Sequence, residues 1–241
     1  MTSRFPLLLL LLSFVVGAIC IRLGVWQLDR LSARKAANAI ALAQRSLPAT
    51  DASDVTGSGA NRRVVATGRF DFGREFVLRG RARDGVPGVE VVTPLLEAGH
   101  DTAVLVLRGY VPSADAISYD AELHREPDSI RVSGIAWPIP VDSSGASPSM
   151  RQGAETWRRL DLGSVRRRLP YPVAPFYIIA DSPATASPAP LRSAAPPLDD
   201  GPHLNYAIQW FAFATIAFGG AGAVWWQRRR GALLPQVPGA G

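Results

Sequence analysis

Three histidines and one cysteine are the only imidazole and thiol groups in the 241 residues. His100 lies in a Gly-His-Asp turn and His124 in a polar stretch, so both are expected at the surface. No His-x-x-x-His or Glu-x-x-His pair, no Gly-x-Ser-x-Gly and no phosphate loop occurs. Hydrolase and metalloenzyme chemistry therefore has little support. Cys20 sits alone in an apolar run, which excludes a disulfide framework and Cys-based zinc or iron–sulfur sites. His203 is different. It stands at the mouth of a second apolar run, with Ala207, Trp210 and Ala214 near its face on a helix and Tyr206 beside it. Small residues let a flat ligand lie close, aromatics can stack on it, and imidazole at the edge of an apolar site is a common haem ligand. The plainer alternative is an interfacial histidine that only hydrogen-bonds. In Val77–Arg83, an extended chain would put Arg79, Arg81 and Arg83 on one face. That ladder reads either as a solvated strand edge or as a contact for anionic lipid, a partner or a cofactor carboxylate.

These residues are positioned by two apolar segments and the chain between them. Phe5 to Ile21 is apolar apart from Ser13, and Leu23–Trp26 completes a span of the length a bilayer needs. Arg22 can snorkel and Trp26 suits the aromatic belt. A cleaved signal peptide is the competing reading, but no small-x-small site follows the run. Leu204–Trp226 forms the second span, closed by Trp225, Trp226 and Arg228–Arg230, an interfacial belt with a cytoplasmic stop. The expected layout is a cytoplasmic N-terminus (1–4), transmembrane helices at 5–26 and 203–226, an extracytoplasmic domain (27–202) and a cytoplasmic tail (227–241). Acidic residues occur only from Asp29 to Asp200, so much of the formal charge of +6 belongs to the ends. Topology explains that excess better than nucleic-acid binding does.

Asp29–Ser46 reads as a helix continuing the first span. Short β-branched runs follow at Arg63–Phe70, Glu75–Gly80, Val89–Leu96, Ala103–Val111, Ile130–Trp137 and Phe176–Ala180. Their spacing favours an antiparallel sheet or small barrel within an α+β domain. A short helix is expected from the N-cap Asp161 to Leu169. Ser182–Pro202, rich in Ala, Pro and Ser, reads as an extended linker.

Leu23-Gly24-Val25-Trp26-Gln27-Leu28-Asp29-Arg30 resembles the Gly-x-Trp-Gln-x-x-Arg signature of the Surfeit locus (Shy-type) family of cytochrome c oxidase assembly proteins. The resemblance continues through Val65–Phe70, Gly88–Leu95 and Val104–Pro112, and ends at Pro202–Phe211, in the family's order over almost the whole chain. Leu107 stands where the family usually has Asn, and Tyr110 where it usually has Trp; Gly134–Pro172 does not align. The resemblance implies a bacterial, non-enzymatic cell-membrane protein that matures the haem–copper oxidase by binding haem a and aiding its insertion into the catalytic subunit. His203 would be the iron ligand, with Tyr206 and Trp210 flanking the ring and Trp26, Gln27 and Arg30 closing the site. Implied partners are that subunit, the haem a synthesis machinery and membrane lipid, without nucleic acid. A haem-free chaperone of an oxidase subunit is the alternative, and a membrane-anchored enzyme a remote one.

Overall fold

The computed structural model describes residues 5–141, 148–151, 154–182 and 190–232. Helix α1 runs Phe5–Ser46 without interruption, which agrees with a first span continued by Asp29–Ser46. Among the described residues the strands are β1 (Thr50–Asp51), β2 (Arg63–Phe70), β3 (Phe76–Arg83), β4 (Val86–Glu97), β5 (Ala103–Pro112), β6 (Ser129–Pro138), β7 (Ser149–Arg151), β8 (Ala154–Thr156) and β9 (Val173–Ser182). Helix α2 (Leu162–Arg168) precedes β9, and α3 (His203–Ala232) follows it. The chain divides into two units, a helical one (Met1–Ala39 with Asp199–Gly241) and a β-rich one (Ile40–Leu198).

In the β-rich unit the order β2-β6-β9-β5-β4 returns on itself, because the end of β4 pairs with the end of β2 (Gly68↔Glu97, Phe70↔Leu95). The result is a five-stranded barrel, antiparallel except where β5 runs parallel to β9. Closure leaves few free edges; β3 extends β4, and β1 extends β2. Alternation along the strands decides what is inside. Val64, Ala66 and Phe70 of β2, Val104 and Val106 of β5, and Phe176, Ile178 and Ala180 of β9 all belong to one buried cluster. The opposite faces of β3, β5 and β9 present Phe76, Leu78, Leu105, Leu107 and Ile179. Trp157, Leu160 and, from α2, Val165 cover them. Asp161 is the N-cap of α2, its side chain accepting from Ser164 N at 2.9 Å.

Two expectations need correction. Ser182–Pro202 is not wholly a free linker: residues 183–189 lie outside the described set, but Leu191 pairs with Tyr110 through two 2.8 Å backbone hydrogen bonds. The arginine ladder is broken. Gly80, at φ +71°, forms a bulge between Leu78 and Arg81, so the three arginines do not alternate as on a straight strand.

In the helical unit, α1 and α3 pack along small residues. Gly17, Cys20 and Gly24 of α1 are buried, as are Ala207 and Ala214 of α3. A Cβ on Gly17 would stand 2.5 Å from the Phe218 ring, and one on Gly24 would stand 2.7 Å from Phe211. Glycine is what lets these rings sit on the α1 backbone, the device by which apolar helices associate closely. Both helices are long and apolar enough to cross a membrane. Their outward residues are large and apolar, among them Leu7, Leu8, Phe14, Ile208 and Ile216.

Candidate functional site

His203 opens α3, and three hydrogen bonds from two side chains of α1 fix the approach to it. Arg34 Nε and Asn38 Nδ2 donate to the Asp199 carbonyl at 3.1 and 2.8 Å, and Asn38 Nδ2 also donates to Asp200 Oδ1. Gly201, at φ +69°, turns the chain into the helix, and its N–H bonds Asp199 Oδ1. The half-buried imidazole then meets α1: Nδ1 lies 2.9 Å from Gln27 Oε1. An amide oxygen only accepts, so Nδ1 is the donor of this pair, and in the neutral ring that tautomer leaves the lone pair on Nε2. Gly201 lies along the Nε2 edge, where a Cβ would be 3.6 Å from that nitrogen. A larger side chain there would lie against Nε2.

The structure therefore brings His203 and Gln27 together, though they are distant in sequence. Trp210 is half-buried and meets Phe213 edge-on at 6.0 Å between centroids. Trp26, Tyr206 and Arg30 are exposed on the helix surfaces. At the far end of α3, Arg229 and Arg230 lie over the Trp225 and Trp226 rings at 4.1 and 3.6 Å. His100 is exposed, as expected, whereas His124 is half-buried and stacks on Tyr119.

The β-rich unit holds a group that sequence reasoning missed. Arg108 is completely buried, ion-paired to Glu75 and, at 2.8 Å, to Glu126. Arg192 closes the set with a 2.6 Å bond to Glu126 and another to the Arg108 carbonyl. Thr93 Oγ1 donates to Glu75 at 2.6 Å, and the Arg108 guanidinium lies 5.0 Å from the Phe72 centroid. Two cations thus face two carboxylates. Burial, opposed by Arg108, holds Glu75 above its ordinary value. Burial works to lower Arg108, but the charge of Glu75 and the bond to Glu126 outweigh it and keep the guanidinium protonated. The sole cue was Arg108 inside Val104–Pro112, where it looks like one more strand residue.

A closed barrel whose stretch of chain is flanked in sequence by two long apolar helices, the second opened by a histidine bonded to Gln27, defines a class of helix-flanked β-domain proteins. Comparison with known proteins narrows the class. The SURF1 family, the Surfeit locus family, matches residues 14–215, and the chain belongs to it. A SURF1-like protein of Rickettsia felis is 29% identical over 212 residues, 85% of this chain and 91% of the relative. An uncharacterized SURF1-like protein of Mycobacterium tuberculosis is 30% identical over 159 residues, 65% of this chain and 56% of the relative. A SURF1-like protein of Monosiga brevicollis is 26% identical over 238 residues, 90% of this chain and 86% of the relative. Membership implies a role in cytochrome c oxidase assembly.

Proposed function

We propose that the chain is a two-span membrane protein that holds haem a at His203 and assists its insertion into the catalytic subunit of the haem–copper oxidase. The observation that carries this reading is the bond between His203 Nδ1 and Gln27 Oε1. Metal-ligating histidines characteristically donate their second ring N–H to an oxygen, which orients the ring and makes the other nitrogen a better ligand. Gln27 does this for His203, and Gly201 keeps Nε2 uncovered. Trp210 and Tyr206 would supply aromatic surface to the ring, with Trp26 and Arg30 contributing from α1. Haem a, when bound, supplies the redox iron that the oxidase requires. This chain's residues bind and orient it, and a single imidazole suits a carrier that must later release.

The apolar outer surface of both helices and Arg228–Arg230 beside Trp225 and Trp226 support placement in the cell membrane. Both termini are then cytoplasmic, and the β-rich domain is extracytoplasmic. Complementation tests the reading. In cells lacking the gene, the wild-type chain restores haem–copper oxidase activity, while His203→Ala accumulates normally and does not. Full restoration by His203→Ala would remove the haem reading and leave a haem-free chaperone of an oxidase subunit.

A further inference from the structure

The broken arginine ladder contributes to a second site. Edge strand β3 is joined to the chain beyond β8 by two backbone hydrogen bonds, Trp157 N to Val77 O at 2.8 Å and Arg79 N to Trp157 O at 2.9 Å. This pairing sets Arg158 and Arg159 beside the Gly80 bulge. Arg79, Gly80, Arg81, Arg158 and Arg159 line an open depression of about 510 Å³. Not all of these charges are available. Arg81 is ion-paired to Glu90 at 2.8 Å and donates to the Arg158 carbonyl, and Arg83 donates to the Arg192 carbonyl. Arg79 spends one nitrogen on Ser149 Oγ at 3.2 Å, but its buried Nε has no partner among the described residues. The exposed side chains of Arg151, Arg158 and Arg159 make no ion pair among those residues either. Burial, followed by the charges of Arg158 and Arg151, pulls the Arg79 pKa down. Like charges are thus crowded together, and among the described residues only Arg81 of this lining has a carboxylate partner.

We propose that this depression is a binding site for a phosphoester group, held by Arg79, Arg158 and Arg159. A phosphate monoester carries close to two negative charges at neutral pH and several strong acceptors, enough to satisfy more than one fork-shaped guanidinium. A lone carboxylate would leave most of the cationic charge uncompensated. The lining is polar and open, which suits a head group better than a hydrophobic ligand. The source is either an anionic lipid or a soluble phosphate compound. This inference does not depend on the haem reading.

The test uses full-length protein in a neutral detergent at low ionic strength. One arm titrates inorganic pyrophosphate calorimetrically; the other measures binding to mixed micelles containing phosphatidic acid, against phosphatidylcholine alone. Arg158→Gln/Arg159→Gln is compared with Arg131→Gln/Arg167→Gln, which removes the same charge from exposed positions elsewhere. We expect the first pair to bind at least about tenfold more weakly than wild type and the second to stay close to it. Binding of pyrophosphate alone assigns the site to a soluble ligand, and binding of phosphatidic acid alone assigns it to a lipid head group. No binding in either arm, or equal losses in both variants, overturns the proposal. Because Arg158 and Arg159 are exposed, their replacement leaves the barrel core intact.

Discussion

An arginine buried among carboxylates stabilises a fold only while every partner is present. Arg108 illustrates this, since removing its charge leaves Glu75 and Glu126 inside the protein with one cation fewer. We expect Arg108→Leu to cost about 3–5 kcal/mol, the usual penalty for breaking a buried ion pair by deleting one partner. Chemical denaturation of the purified chain would measure it, and a loss below about 1 kcal/mol would show that the carboxylates find other partners. Glu97 gives a pH test. Burial and the neighbouring Asp51 and Asp54 raise its pKa above the ordinary 4.5, against the pull of His100. A raised value means that the folded state holds the proton more tightly. Its contribution to stability is complete below the unfolded value and lost as pH rises through the folded one. Glu97→Gln, always neutral, should therefore gain over wild type more at about pH 7 than at about pH 4, read from unfolding midpoints at each pH. Equal gains at both would place Glu97 in ordinary solvent. His203 was legible in the sequence because a lone imidazole at the mouth of an apolar helix is unusual. The pairing of Gln27 with Nδ1 was not, because no local pattern records a contact across 176 positions. Arg108 was hidden for a similar reason, since its carboxylates come from separate stretches of chain.

At the scale of elements, the helix pair makes the sharpest prediction. Gly24 lies under the Phe211 ring, whereas a Cβ on Gly219 would meet nothing within 4 Å. Gly24→Ala must displace an aromatic ring or the helix, at a cost of about 1–3 kcal/mol. Gly219→Ala should be neutral or stabilising by up to about 1 kcal/mol, because alanine favours helix. Thermal unfolding in detergent separates the two, and equal effects would contradict the close packing of α1 on α3. The longer strands were readable, with β2 matching the expected Arg63–Phe70 and β3, β4, β5, β6 and β9 differing at their ends, whereas the short β1, β7 and β8 were not expected. Period-2 alternation of β-branched residues survives as long as one face is buried. Closure of the barrel was not readable, since β4 to β2 pairing is a long-range fact carried by three residue pairs. Nor did the Ala- and Pro-rich composition of Ser182–Pro202 reveal that Leu191 and Arg192 dock on the domain. Individual side chains there, not average composition, decide the outcome.

At the scale of the whole molecule, the proposed function joins a SURF1-family chain to the membrane and to haem a. Reporter fusions at Ser58 and Ser187 should report the extracytoplasmic side, and a fusion after Gly231 the cytoplasm. A mature chain beginning beyond residue 20 would instead mean that the first helix is a cleaved signal. The haem claim rests on one nitrogen, His203 Nε2, left open by its Gln27 bond. The most direct test is the absorption spectrum and extracted pigment of the chain purified after co-expression with haem a synthesis. The account predicts haem a in the wild type and its loss from His203→Ala that accumulates to the same level. His203→Met should retain partial binding, because a thioether is an alternative axial ligand. Haem a bound equally by wild type and His203→Ala, or absent from the wild type when the pigment is abundant, would contradict it.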